Sequence, residues 1–417
     1  MILRMALPAM AALLLLWALP APAGAPADAP VRFATFNASL SRSQAGALIA
    51  DLRRADDAQA QAVAAIIQRV DPDVLLLNEF DYDPAGEALA LFQRRYLGVA
   101  QGDAPAVTYP YVYVGPSNTG VPSGRDLDND GSVGGPNDAY GFGLFPGQYG
   151  MAVLSKYPIL TRQVRTFRHF RWQDMPGALL PDDPATPAPL DWYSAEELAE
   201  LRLSSKSHWD VPVWIDGRVV HVLASHPTPP VFDGAEDRNG RRNHDEIRFW
   251  ADFVSPGRAA GYVYDDAGRR GGLRPGAAFV ILGDLNADPY DGDSTGRPVW
   301  RLLNHPRVTA APTPGSAGAI EATARQGGVN AVQLGDPRLD TADFADGEGA
   351  AGNLRVDYVL PSRDLRIAAA GVFWPTAADP LFALVGDYPF ASSDHRLVWA
   401  DLAPCPLACQ LRATVGD

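Results

Sequence analysis

The sequence predicts an α/β protein, because short apolar segments alternate with helical segments and long polar loops. These segments are rich in Val, Leu, Ile and Phe and have the length of ordinary strands. No repeat of fixed period occurs, which sets solenoids and propellers aside. The predicted strands cover residues 31–37, 73–79, 151–155, 219–225, 278–283, 356–361 and 395–402.

An amphipathic helix is predicted between the first two strands, ending before Pro72. Its apolar residues have the i, i+3, i+4, i+7 spacing of one helix face and are Val63, Ile66, Ile67 and Val70. A second helix is predicted over residues 242–253. Residues 100–150 and 161–210 show no clean period, and we expect them to form loops that shape or cover a site.

Polar side chains able to bind metal or phosphate stand at the ends of the predicted strands. They are Asn37, Glu79, His226, Asp284, Asn286, Asp394 and His395. In a layered α/β fold, strand ends and their loops gather at one edge, where ligands bind. The sequence therefore predicts one site at that edge.

Seven short blocks carry a resemblance that covers residues 31 to 402. The blocks are Val-Arg-Phe-Ala-Thr-Phe-Asn37, Pro-Asp-Val-Leu-Leu-Leu-Asn-Glu79, Tyr-Gly-Met-Ala-Val-Leu-Ser155, Ser-His226, Gly-Asp-Leu-Asn286, Asp-Tyr-Val359 and Ser-Asp-His395. In this order they resemble the conserved blocks of the endonuclease/exonuclease/phosphatase superfamily, which includes DNase I-like nucleases, inositol polyphosphate phosphatases and bacterial sphingomyelinases. The resemblance implies a DNase I-like four-layer α/β sandwich, in which two packed, mostly antiparallel or mixed sheets are flanked by helices.

We expect a divalent cation in the site, because a phosphate ester is anionic and repels a nucleophile unless its charge is neutralised. The resemblance implies Glu79 as the main ligand, with Asn37 and Asp394 completing the shell. Oxygen ligands suit Mg²⁺ or Mn²⁺ better than zinc, and Ca²⁺ is a further candidate. Glu79 has a competing interpretation as an exposed strand-end charge, and Asn37 as a turn residue.

The resemblance also implies the catalytic roles. Asp284 would orient and deprotonate the attacking water, and Asn286 would hold water or phosphate. His226 and His395 would hydrogen-bond the phosphoryl oxygens or protonate the leaving group. Asp357 would orient an imidazole, for which we expect His395. The alternatives are that Asn286 is a turn residue and Asp357 a structural buried acid.

A loop at residues 126–131 has acidic spacing typical of the first half of a calcium loop. Asp126, Asp128 and Asp130 precede Gly131, as in an EF-hand. Position twelve of such a loop is Asn137 rather than Glu. Calcium binding and a solvated acidic turn are both open interpretations.

Three arginines follow His226 closely in the sequence and form a candidate phosphate clamp. Arg238, Arg241 and Arg242 would bind a substrate phosphate beside the metal. They would equally pair with neighbouring acids, and their position favours substrate contact.

The first residues predict export. An apolar run followed by Ala23-Gly24-Ala25 indicates a signal peptide over residues 1–25, and residues 26–417 then form a single domain with long loop insertions. We expect a secreted or periplasmic monomer without a stable membrane anchor. Cys405 and Cys409, separated by three residues, are predicted to form a disulfide in an oxidising compartment.

The charge of the chain bears on its substrate. Without the leader, which contains Arg4, 49 acidic and 34 basic residues give a net charge of −15. Such a protein repels a polyanion at long range, so nucleic acid is disfavoured as a partner. We expect a hydrolase of phosphomonoesters or phosphodiesters. An extracellular nuclease and a secreted binding module without activity are the alternatives.

Overall fold

The computed structural model describes residues 29–404, which form 13 strands and seven α-helices. The strands are β1 (Val31–Leu40), β2 (Val74–Phe80), β3 (Tyr111–Val114), β4 (Met151–Ser155), β5 (Arg165–Thr166), β6 (His208–Ile215), β7 (Arg218–Ser225), β8 (Ala278–Asp284), β9 (Ala342–Asp343), β10 (Asn353–Leu354), β11 (Asp357–Pro361), β12 (Leu365–Val372) and β13 (Val398–Pro404). The helices are α1 (Ala47–Arg54), α2 (Ala58–Val70), α3 (Glu87–Phe92), α4 (Ala195–Leu198), α5 (Arg238–Val254), α6 (Trp300–Leu303) and α7 (Ala317–Gln326). The leader at 1–25, Cys405 and Cys409 lie outside the described residues, so the signal peptide and the disulfide stay predictions.

Two mixed sheets form the centre of the fold, which confirms the predicted fold class. One sheet has the order β12-β13-β1-β2-β4-β3 and the other β11-β8-β7-β6-β5. Each contains one parallel pair, β1 with β2 and β7 with β8, and antiparallel pairs otherwise. Helices α1 and α2 connect the first parallel pair and α5 the second.

The alternation of side chains along the strands produces the layers. Val222 of β7 belongs to the core that fills the space between the sheets, whereas the next residue, Leu223, belongs to a second core beneath α5. The first core also takes in the apolar faces of α1, α2, α3 and α7. Helices therefore flank both sheets. In residues 29–404, no helix has the length and apolar character needed to cross a bilayer.

All seven predicted strands are present, with some of their ends displaced by one to three residues. The last begins at Val398 rather than at 395, because His395 lies in a loop and makes only an isolated bridge to Ala342. Strand β6 was expected to be loop up to residue 210. Its apolar alternation is interrupted by Asp210, whose carboxylate lies 2.6 Å from His221 Nδ1 on β7.

The predicted helix boundaries need one correction. Helix α2 begins where the Asp57 side chain accepts the amide of Ala60 at 2.9 Å, and it ends before Pro72 as predicted. Helix α5 begins at Arg238 rather than at 242. Its first turn is wholly polar, so hydrophobic periodicity gave no sign of it.

Candidate active site

The carboxyl ends of the two parallel strand pairs meet at one edge of the sandwich. Asn37 of β1 donates from Nδ2 to Glu79 Oε1 of β2 at 3.2 Å and to Asp284 Oδ2 of β8 at 3.1 Å. One amide thus joins carboxylates from both sheets. His226, directly after β7, reaches the same group, with Nε2 at 3.4 Å from Asp284 Oδ2.

Asn78 fixes the distance between the sheets at this edge, and the sequence analysis missed it. Its Oδ1 accepts the Asp284 amide at 3.4 Å, and its Nδ2 donates to the Ser225 carbonyl at 3.4 Å. Gly283 permits the close approach of β8 to β7, since a Cβ there would lie 2.1 Å from the same carbonyl. A buried amide after three leucines in β2 was the available signal.

Asp284 is the point on which the site converges. Besides the contacts to Asn37 and His226, its Oδ2 lies 3.6 Å from His395 Nε2, and its Oδ1 accepts the Asn286 amide at 2.9 Å. Burial raises the pKa of Asp284 to about 6, although the charge of His395 opposes the shift. At neutral pH the group is ionised and still basic enough to accept a proton from water.

The pKa values of the two histidines are shifted in opposite directions. Burial alone would lower the pKa of His395, but the charges of Asp357 and Asp284 outweigh it and raise the pKa well above its ordinary value. For His226, burial dominates, and the charges of Lys206 and His395 lower its pKa further. The surroundings therefore favour the cationic form of His395 and the neutral form of His226.

Asp357 holds the His395 ring from behind. Its Oδ2 lies 2.9 Å from His395 Nδ1 and accepts the Thr341 hydroxyl at 2.9 Å. The same hydroxyl accepts the Asp357 amide at 3.0 Å, so the carboxylate is fixed on its own strand. Thr341 lies in a connection that sequence reasoning had not associated with the site.

We expect Asp357→Asn to lower the pKa of His395, because the nearest of the carboxylate charges that raise it disappears. Turnover should fall by about 10- to 100-fold as the ring loses its orientation. NMR titration of the imidazole and steady-state kinetics measure the two effects. Asp210→Asn, which changes the Asp–His pair with His221, is the matched control and should alter neither.

Glu79 and Asp394 supply carboxylate oxygens beside this network. Glu79 Oε2 accepts the Ser41 hydroxyl at 3.4 Å, and Asp394 Oδ1 accepts the Ser39 hydroxyl at 3.4 Å. Burial, reinforced by the charge of Asp394, raises the pKa of Glu79. A divalent cation would relieve both effects, and the donors are the hard oxygens that Mg²⁺ or Mn²⁺ prefer. The donor set therefore fits the expected metal.

Unusual backbone marks the same edge. Ser39, Glu79 and Asn286 have φ of 49°, 54° and 51°, and the β1–β2 register shifts between Asn37 and Leu40. Left-handed conformations at residues other than glycine cost about 1–3 kcal/mol each and concentrate at functional sites. Asn37, Ser39 and Ser41, at alternate positions along this segment, all contact carboxylates of the site.

The three arginines predicted to clamp a phosphate contact groups of the protein itself. Arg242 donates to the carbonyls of Leu203 at 2.8 Å, Arg202 at 2.9 Å and Tyr140, and these bonds hold the loops that contain them. Arg238 pairs with Glu236 and Arg241 with Asp237 at 3.6 Å. These contacts follow the competing interpretation, pairing with nearby groups. Substrate contact by Arg238, Arg241 and Arg242 stays a prediction.

The acidic loop forms a separate cluster. Asp126, Asp128 and Asp130 each place one carboxylate oxygen within 4.8 Å of the others. Asn137, at the position where an EF-hand has Glu, donates from Nδ2 to Asp128 Oδ2 at 2.8 Å. The backbone amides of Asp130 and Gly131 donate to the two carboxylate oxygens of Asp126. Both interpretations fit these contacts, and calcium binding stays a prediction.

Two mixed sheets flanked by helices, with carboxylates and histidines at one edge, define a protein of the DNase I-like class. The chain belongs to the Endonuclease/Exonuclease/phosphatase family, whose model matches residues 34–395. Members of this family are generally hydrolases of phosphoesters. No curated protein matches the chain.

Several solved structures are similar at low identity. An endonuclease/exonuclease/phosphatase from Beutenbergia cavernae is 20% identical with a TM-score of 0.47, covering 90% of this chain and 72% of that one. TDP2 from Caenorhabditis elegans is 16% identical with a TM-score of 0.43, covering 90% and 75%. Beta toxin from Staphylococcus aureus is 15% identical with a TM-score of 0.41, covering 89% and 99%. These likenesses are too distant to carry an argument about substrate.

Proposed function

We propose that the protein is a divalent-metal-dependent phosphoesterase that hydrolyses phosphomonoesters or phosphodiesters by attack of water. The convergence on Asp284 Oδ2 supports this proposal most strongly, since Asn37, His226 and His395 all lie within 3.6 Å of that oxygen. A buried base can activate the attacking water, and a neighbouring imidazole in its cationic form can stabilise the charge that develops on the phosphate.

The residues divide the work according to their charge. Asp284 accepts the proton of the attacking water, with the carboxylate held by Asn37 and the Asn286 amide. His395, kept protonated by Asp357, stabilises the charge that develops on the phosphoryl group. His226, in its neutral form, donates a hydrogen bond to a phosphoryl oxygen. A metal ion held by Glu79, Asp394 and Asn37 would supply Lewis acid chemistry at the phosphoryl oxygens.

Release of product from a panel of phosphoesters tests the proposal. The panel contains bis-p-nitrophenyl phosphate, p-nitrophenyl phosphate, sphingomyelin, inositol phosphates and plasmid DNA, each with Mg²⁺, Mn²⁺ or Ca²⁺ and each with EDTA. We expect turnover that EDTA abolishes and added metal restores. A folded protein that releases nothing from any of them in the presence of metal would contradict the proposal and favour a binding module.

The plasmid assay separates the nuclease alternative from the rest. The chain carries a formal net charge of −14, which disfavours a polyanionic substrate. Cleavage of plasmid at a rate above that of the small esters would make the nuclease the better assignment. Export, which we propose from the leader pattern alone, is tested by sequencing the amino terminus of the mature protein.

A further inference from the structure

Lys206 is a buried lysine next to the site, and it has no role in the proposed reaction as described so far. It is one of two lysines among 35 basic residues, and only 6% of it is exposed. Its backbone is fixed on two sides: its carbonyl accepts the Asn118 amide at 2.8 Å, and the preceding amide of Ser205 donates to Glu246 at 2.7 Å. Gly141 packs so closely here that a Cβ would lie 1.9 Å from the Ser205 carbonyl. The side chain is thus directed by a rigid segment.

The ammonium group lies beside the site, at the segment that follows His226. Nζ donates to the Pro227 carbonyl at 3.4 Å, and the same carbonyl accepts Asn286 Nδ2 at 3.1 Å. Pro227 directly follows His226, and the charge of Lys206 helps to lower the pKa of that histidine. An ammonium has three N–H donors, and this long hydrogen bond uses one of them.

The carboxylates around Lys206 do not pair with it directly. Within residues 29–404, none of the ion pairs at 4.0 Å or less includes its Nζ. Glu246 accepts backbone amides at both oxygens, at 2.7 and 2.6 Å. Glu79 and Asp284 both accept from Asn37. The neighbouring charges therefore act on Lys206 through space, while their oxygens are engaged elsewhere.

A buried cation without a direct counter-ion destabilises the folded protein. An anionic group on a bound ligand would supply the missing counter-ion. Burial lowers the pKa of Lys206, whereas the charges of Glu246, Glu79 and Asp284 favour the ammonium form. We propose that Lys206 is a catalytic residue whose ammonium group binds a non-bridging oxygen of the substrate phosphoryl group. This inference rests on the proposed function. The lysine would bind the face of the phosphoryl group next to Asn286.

Lys206→Met and Lys206→Gln test the inference, with Lys156→Met as the matched control. Lys156, the other lysine, pairs with Asp71 at 2.7 Å at the opposite end of β4. We expect Lys206→Met to lower kcat/KM by about 100- to 1,000-fold, the cost of losing one charge-stabilising donor. Lys206→Arg should recover part of that loss. Lys156→Met should behave as the wild type.

A second readout uses inorganic phosphate and does not depend on turnover. In the presence of Mg²⁺, phosphate should raise the Tm of the wild type and of Lys156→Met, but not that of Lys206→Met or Lys206→Gln. A variant that folds and keeps the wild-type kcat/KM and phosphate response would overturn the inference, leaving Lys206 a counter-charge for Glu246 and Asp284. The same holds if the wild-type Tm ignores phosphate. Absence of turnover in a wild type that binds phosphate through Lys206 would sink the proposed function alone.

Discussion

Asp284→Asn is expected to lower kcat by about 100- to 10,000-fold, because it removes the base on which the site converges. The fold should survive, since Asn has the same shape. The pKa of the Asp284 carboxyl is raised to about 6, so its ionised form costs stability above the ordinary carboxyl pKa. We therefore expect the Tm of the variant at pH 7 to equal or exceed that of the wild type. Steady-state kinetics and thermal unfolding measure the two quantities.

The matched control is Asp216→Asn, an exposed residue with φ of 44° in the turn between β6 and β7, away from the site. It should leave both quantities unchanged. In the metal-loaded wild type, kcat/KM should decline on acidification below about 6, because Asp284 then takes up a proton and the bound cation favours its ionised form. Wild-type turnover in Asp284→Asn would remove Asp284 from the base role.

Glu79→Gln is expected to lower both metal affinity and turnover by at least about 100-fold, because the amide lacks the charge that holds a divalent cation. Isothermal titration with Mg²⁺ and Mn²⁺ measures affinity, and the phosphoester assay measures turnover. Excess metal should restore part of the activity, which would distinguish a ligand from a base.

Glu87→Gln provides the control, because Glu87 on α3 forms an exposed ion pair with Arg53. Surface pairs of this kind contribute little, so metal affinity and turnover should stay at wild-type values. Unchanged metal binding in Glu79→Gln would show that the cation is held elsewhere. The cluster of Asp284, Asp357 and His395, whose ligand atoms lie within 4.8 Å of one another, would then be the next candidate.

The sequence by itself determined the fold class, the family and most of the acidic and histidine side chains of the site. Apolar strands such as β2 and β8 are short and continuous, and Glu79 and Asn286 stand where such strands end. Strand ends collect at one edge in a layered sheet, so order along the chain was enough to predict that these groups meet. The amphipathic stripe of α2 identified the intervening helix, because the spacing of apolar residues along a helix depends only on residues close in sequence.

Only the tertiary structure decided the charges and the supports of that site. His226 and His395 look alike in the sequence, yet their pKa values are shifted in opposite directions, because burial dominates at His226 and the charge of Asp357 acts on His395. Thr341 and Lys206 lie in connections whose sequences show no periodicity. Their contacts with the site depend on packing between segments that are distant in the sequence. Electrostatic energies depend on distance and burial, which a linear pattern does not contain.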